Sequence, residues 1–282
     1  MKIKASCVKD VLAVGRFLIP YRVYENKGPQ FIFINGVQQS MAMWHTFVSR
    51  FSPDYRIILF DFPNQGKAKI LSGPSQVSLD EQVEILLSVM DYSGFSEEGT
   101  LCAASWGGVI AAAFAAKYPD KVKRMILASL GTKPNRKMVE TIQNAANLSM
   151  DDRDQMAQTL IKSFGEDLPE KMKNGIINQF RVMKKENLQS FYEHGLFVIS
   201  SDQLGKIVNL RNIKAKTILI NGEKDAIIDL DDVKFLASQI PDCELRILKD
   251  VGHFLHMERD EVLDVYEEIF CSQGLSRWSK PS

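Results

Sequence analysis

The 282-residue sequence is short of several features that whole function classes require. Its four cysteines, Cys7, Cys102, Cys243 and Cys271, are scattered with no C-x-x-C spacing, which points to a reduced, cytoplasmic protein. The N-terminus has neither the continuous apolar core nor the small-residue cleavage site of a signal peptide. The longest uncharged stretch, Gly99 to Ala116, falls short of the roughly 20 apolar residues a bilayer span needs and carries Ser105, Gly107 and Gly108 in its middle, so no transmembrane segment is expected. There is no excess charge of either sign. Thirty-five basic residues balance thirty-five acidic ones, and no overall field draws the chain to nucleic acid or anionic lipid. Neither G-x-G-x-x-G nor G-x-x-x-x-G-K-[ST] occurs, so no nucleotide cofactor is implied. His253 and His256, three residues apart, find no third ligand at metal spacing, and no metal is expected.

What is present is a soluble-protein composition, 45% hydrophobic and 25% charged, arranged in alternating periods. Strand-length runs recur at Phe31–Ile34, Arg56–Phe60, Thr100–Ala104, Val122–Ala128, Thr217–Ile220 and Leu245–Leu248. Helical spacing lies between them, as in Leu79, Val83, Leu86, Leu87 and Met90, or Val262, Val265, Tyr266 and Ile269. The alternation predicts an α/β fold, a mostly parallel central sheet with helices on both faces. It breaks once, from about Lys133 to Lys206, where only helical patterns appear. The expected organisation is therefore a core of residues 1–132 and 207–282 with a helical cap, 133–206, inserted between.

Three strand ends carry candidate chemistry. Thr100–Ala104 runs into Ser105-Trp106-Gly107-Gly108 and an Ala-rich helix, a near variant of G-x-S-x-G with Ala103 in the first glycine position. The small flanks answer a steric need, because the sharp turn brings neighbouring backbone close to the serine. An ordinary helix-capping serine is the competing reading. Asp225 follows the next-to-last strand and His253 the last, with Asp229 a rival acid. The chain order Ser, Asp, His differs from that of chymotrypsin and of subtilisin. Upstream, Asn35-Gly36-Val37-Gln38 ends a strand, and the Val37 N–H together with that of Trp106 could form a two-donor oxyanion hole. Taken alone, Asn35-Gly36 could equally be a plain turn.

These residues resemble the α/β-hydrolases over the whole chain. A closer resemblance is to bacterial 3-hydroxyacyl-ACP acyltransferases, the 3-(3-hydroxyalkanoyloxy)alkanoic acid synthases and the 3-hydroxyacyl-ACP:CoA transacylases or thioesterases. It rests on Ile34-Asn35-Gly36, Leu59-Phe60-Asp61 with Pro63 and Gly66-Lys67, Val83 to Leu87, Ala104 to Gly108, Ile220 to Glu223 with Asp225, and Gly252 to Leu255. The resemblance implies a triad of Ser105, Asp225 and His253, an oxyanion hole of Val37 and Trp106, and no cofactor. It implies serine-dependent acyl transfer or hydrolysis on 3-hydroxyacyl thioesters carried by acyl carrier protein or CoA. Gln38, Trp106 and Phe254 are the expected substrate-binding residues, although Gln38-Gln39 departs from the smaller residues of those relatives. A carboxylesterase or lipase-like hydrolase is the alternative, and a non-catalytic binding protein on the same fold is a further one.

Other residues carry weaker expectations. Cys102 should be a buried, inert thiol, His256 a structural or rim residue, and His194 a surface histidine more readily than a lining one. Met138, Met150, Met156, Met172 and Met183 in the insertion suit either an acyl channel or plain helix packing. Lys171 to Lys185 holds Lys171, Lys173, Arg181, Lys184 and Lys185 with no acid; it reads as a solvated helix face first and a carrier-protein surface second.

Overall fold

The structure, a computed structural model, describes residues 6–146 and 151–272. Nine strands form one sheet: β1 (Ser6–Val14), β2 (Phe17–Glu25), β3 (Gln30–Ile34), β4 (Arg56–Phe60), β5 (Lys69–Ile70), β6 (Thr100–Ala104), β7 (Arg124–Ala128), β8 (Lys216–Gly222) and β9 (Cys243–Leu248). Their order is β1-β2-β4-β3-β6-β7-β8-β9, with β5 paired to β2 off that path. β1, β2 and β5 pair antiparallel, and every pairing from β4 through β3 to β9 is parallel.

The inner parallel strands β3, β4, β6, β7 and β8 read as continuous apolar runs because both faces are buried, whereas the edge strand β9 carries Glu244 and Arg246 and buries no residue fully. In β3, Ile32 and Ile34 join one core while Phe31 and Phe33 join the other. β4 divides in the same way, Ile58 and Phe60 to one face, Ile57 and Leu59 to the other. The first face is covered by α2 (Leu79–Ser93), α3 (Trp106–Lys117) and α9 (Leu230–Gln239), and the second by α1 (His45–Phe51) and α10 (Val262–Ser272). α2 starts where its sequence dictates. Ser78 and Glu81 close a reciprocal capping box, and Gly94 ends the helix in the left-handed conformation at φ 64°.

β1 and β2 are absent from the sequence expectations, and their exposure explains why. β1 is almost wholly solvent-facing, and β2 buries only alternate residues, Phe17, Ile19, Tyr21 and Val23. Neither presents a continuous apolar run. Between β7 and β8 the chain forms α4 (Arg136–Ala146), α5 (Arg153–Phe164), α6 (Glu170–Val182), α7 (Lys185–Ser200) and the single turn α8 (Leu204–Ile207). Part of this insertion has its own small core, Met156, Ala157, Phe180, Leu188 and Tyr192. Its two crossings are tied together where the Leu204 N–H donates to the Thr132 carbonyl at 2.8 Å. Among the described residues no helix is long and apolar enough to cross a membrane.

Candidate active site

Ser105 sits at the sharp junction of β6 and α3 with φ 51° and ψ −123°, a conformation that side-chain-bearing residues avoid. Its hydroxyl makes no capping hydrogen bond to α3, which removes the helix-cap reading. The Ser105 N–H donates to the Ala128 carbonyl at 2.8 Å, and its carbonyl accepts from the Gly108 N–H at 2.8 Å, so the backbone is pinned on both sides. Gly107 is required by contact rather than by φ. A Cβ there would lie 2.5 Å from the Asn35 carbonyl oxygen and 2.7 Å from that of Ile34. The small residue lets α3 press against the end of β3 and brings Ser105 beside the turn that follows it.

That turn is held from beneath by a buried polar network. Asn35 donates to the Phe60 carbonyl, to the Asp61 carboxylate and to Gln65, and accepts from the Trp44 indole N–H at 2.8 Å. The Gln65 amide donates to the Gly36 carbonyl at 2.8 Å, while the Gly36 N–H donates to Gln39 Oε1 at 3.0 Å. Burial pushes the Asp61 carboxyl up, against the lowering effect of donors that include the Met41 N–H and Asn35. Among the described residues, neither the Val37 nor the Trp106 N–H is spent on a hydrogen bond. Val37 lies in the turn after β3 and Trp106 opens α3, where helix N–H groups have no internal partner, and both border one small space with Ser105.

Asp225 and His253 meet at the ends of β8 and β9. His253 Nδ1 lies 2.9 Å from Asp225 Oδ2, with both side chains almost fully buried. The remaining capacity of Asp225 is filled by the N–H groups of Ile227 and Ile228, at 2.8 and 3.0 Å, and by the Asn221 amide. Burial works against its charge, but the His253 imidazole and these donors outweigh it, and the carboxyl lies below its ordinary range. The rival, Asp229, is turned elsewhere: it starts α9 and accepts from the Asn135 amide at 3.2 Å.

Two residues without a sequence signal hold the His253 loop. Glu258 accepts from the N–H groups on either side of His253, Gly252 at 2.6 Å and Phe254 at 2.9 Å. The buried hydroxyl of Ser129 donates to the His253 carbonyl at 2.6 Å. Ser129 follows β7 as Ser105 follows β6, with φ 52°. A hydroxyl-to-carbonyl or carboxylate-to-backbone contact needs no particular spacing, so only the folded chain reveals it.

Ser105, His253, Val37, Gln38 and Phe254 border one cavity of about 1190 Å³ beneath the inserted helices. Trp106 itself turns its indole away, donating to Gln82 Oε1 at 2.9 Å. No direct Ser105–His253 hydrogen bond is present among the described residues; such contacts are often long before substrate binds. Met138, Met172 and Met183 line the cavity, whereas Met156 is packed in the insertion's own core and Met150 lies outside the described residues. His194 departs from its expectation as a surface residue: it is half-buried on α7 with its Nδ1 3.1 Å from Gln38 Nε2. Burial lowers its pKa to about 4. His256 is buried in the core, stacked on Trp44 with centroids 5.4 Å apart. Cys102 is buried and its thiol is pushed well up. In the basic run, Lys173 pairs with Glu170 and Arg181 with Asp154. Among the described residues no group of three His, Cys, Asp or Glu side chains could hold a metal ion.

The profile of the alpha/beta hydrolase fold family matches residues 29–260. Among curated relatives, the chain is 25% identical to an (R)-3-hydroxydecanoyl-ACP:CoA transacylase of Pseudomonas putida, over 80% of this chain and 77% of that protein. It is also 25% identical to a poly(3-hydroxyalkanoate) depolymerase of Ectopseudomonas oleovorans, over 88% and 86% of the two chains. Among solved structures it is similar in fold to MGS-M2, an alpha/beta hydrolase enzyme from a Medee basin deep-sea metagenome library. That similarity has a TM-score of 0.80 at 20% identity and covers 97% of this chain and 100% of the other.

Proposed function

The chain belongs to the α/β-hydrolase fold family and is an enzyme of that fold, and we propose that it transfers acyl groups through an ester on Ser105. The observation that carries this reading is the placement of a strained, uncapped serine on the same cavity as a histidine held by a buried carboxylate. With its Nδ1–H donated to Asp225, His253 has Nε2 free to accept the Ser105 proton. Ser105 Oγ then attacks the acyl carbonyl, and the Val37 and Trp106 N–H groups receive the charge that develops on its oxygen. His253 returns the proton to the leaving group. Water or another acceptor, deprotonated by the same imidazole, releases the acyl chain.

The donor we infer is a medium- or long-chain 3-hydroxyacyl thioester. The cavity's size, its methionine and phenylalanine lining and the activities named for the relatives support this class. At about 0.8 kcal/mol per buried CH₂, a ten-carbon chain offers several kcal/mol of binding that an acetyl group cannot. The inserted helices would then serve as the cap over the chain, in a protein working in the cytoplasm on substrates carried by acyl carrier protein or CoA. The test is product analysis by mass spectrometry over a panel of acyl-ACP and acyl-CoA donors. Turnover should rise with chain length and favour 3-hydroxyacyl groups. Best activity on acetate-sized esters would instead identify a simple carboxylesterase.

A further inference from the structure

Of the two N–H groups that would receive the oxyanion, the one on Val37 belongs to a turn that is not at rest. Val37 and Gln38 are its middle residues, and the Gln39 N–H closes it on the Gly36 carbonyl at 3.3 Å. Gln38 stands there at φ 56°, a left-handed conformation that glycine adopts freely and a residue with a side chain avoids. Something beyond the turn must hold it. On the core side, Gln65 fixes the Gly36 carbonyl. On the side of the insertion, the Gln38 side chain makes its one hydrogen bond among the described residues, with Nε2 lying 3.1 Å from Nδ1 of His194 on α7. Trp106, which carries the other N–H, leans on the same helix. Its ring stands edge-on to His194 and Phe197, with centroids 6.4 and 5.5 Å away, while its indole N–H is spent on Gln82. His194 therefore touches the side chain next to one donor and the side chain of the other.

We propose that His194 is a positioning residue for the oxyanion hole, the point at which the inserted helices hold the Val37 and Trp106 N–H groups in place beside Ser105. The chemistry of the contact fits that role. With Gln38 Nε2 donating, His194 Nδ1 accepts, which needs a neutral imidazole protonated on Nε2. Burial keeps the ring neutral by lowering its pKa to about 4. His194 is not itself on the wall of the Ser105 cavity, whereas Ser190, Phe191, Tyr192 and Gly195 of the same helix are. One face of α7 thus builds the cavity wall, and the adjoining face supports the oxyanion turn. The support matters because an N–H stabilises the developing charge only where it is aimed before the reaction starts. A turn released from α7 is free to relax away from the conformation that Gln38 holds under strain, and a misplacement of about 1 Å is enough to cost a large part of the rate.

This inference rests on the acyl-serine reading, and the experiment separates the two. His194→Phe keeps a ring against Trp106 and removes the acceptor, whereas His194→Asn puts an amide oxygen near the place of Nδ1 and restores it. With p-nitrophenyl decanoate, His194→Phe should lower kcat about ten- to a hundredfold and leave KM within about twofold, because formation and breakdown of the acyl-serine both pass through an oxyanion. His194→Asn should keep kcat within about threefold of wild type. A decyl trifluoromethyl ketone, which adds to the serine as a tetrahedral adduct, should bind His194→Phe more weakly by the same factor that kcat has lost. Gln38→Met deletes the same hydrogen bond from the core side, so it stands in if the ring substitution disturbs α7. Its loss in kcat should match that of His194→Phe, and the double variant should lose no more than either. An unchanged kcat in both single variants, a loss carried by KM alone, an unchanged affinity for the ketone, equal losses in His194→Phe and His194→Asn, or additive losses in the double variant would each overturn the role of His194. A fluorophosphonate probe that fails to label Ser105 in the wild type removes the acyl-serine reading, and this inference with it; a labelled Ser105 beside any of those results overturns this inference alone.

Discussion

Ser105 holds a backbone conformation that costs of order 1–3 kcal/mol, and its hydroxyl does nothing for the helix it precedes. If that strain serves chemistry, Ser105→Ala abolishes turnover and leaves the melting temperature within a few degrees of wild type. Activity assays with a thermal melt check both halves. Asp225→Asn should lower kcat by about 10⁴-fold, because an amide fixes the wrong tautomer of His253, whereas Asp229→Asn should cost about twofold at most. The reverse ranking would move the acid to Asp229. Ser105, Asp225 and His253 could be singled out from the sequence because each lies at or just beyond the end of a strand-length run, and the fold brings Asp225 and His253 into hydrogen-bond contact on the cavity that Ser105 borders. The sequence favoured Asp225 over its rival Asp229 without excluding the latter, since both lie in one loop, and the fold turns Asp225 toward His253 and Asp229 toward Asn135. Glu258, Ser129 and the Gln38–His194 contact were hidden, because each joins residues by position in space alone.

At the scale of elements, the inner parallel strands announce themselves because burial on both faces writes an unbroken apolar run, and the solvent-facing β1 writes none. The turn after β3 was visible as Asn35-Gly36, but its support from Asp61, Gln65 and Trp44 assembles residues from two further segments. The His253 loop depends on Glu258 in the same way. Glu258→Ala leaves two N–H groups without their acceptor, at about 1–3 kcal/mol for each one that stays buried. The expected outcome is a lower melting temperature and a drop in kcat of ten- to a hundredfold with KM little changed. A loss confined to KM would mean that Glu258 touches substrate instead of positioning the loop. In the insertion, Lys184 and Lys185 are exposed close to the cavity residues Val182 and Met183. If this surface receives an acidic carrier protein, Lys184→Glu with Lys185→Glu raises KM for acyl-ACP, most strongly at low salt, and leaves a small p-nitrophenyl ester unaffected. Equal loss on both substrates would point to damage in the insertion.

For the whole molecule, two half-buried or buried histidines make stability depend on pH. His256 has its pKa lowered to about 4 by burial, against the opposing hydrogen bond to the Met43 carbonyl and the charge of Asp260, and His194 behaves similarly. Between pH 6.5 and 4 the unfolded chain takes up protons that the folded chain refuses, so stability is full above that window and declines within it. For His256 alone the loss approaches about 3 kcal/mol. His256→Phe should flatten the fall in melting temperature over this range, and an unchanged slope would contradict the assignment. Below the window, protonation of Asp225 adds a further loss, because its lowered carboxyl contributes only while charged. Sheet, loops and insertion together exist, in this account, to hold one acylated serine. The most direct test is to mix the enzyme with a 3-hydroxydecanoyl thioester, quench in acid within milliseconds and measure the intact mass. One acyl group per chain, mapped to the peptide containing Ser105 and missing from Ser105→Ala, is the expected result; turnover that persists in Ser105→Ala, or an acyl group found on another residue, would contradict the account.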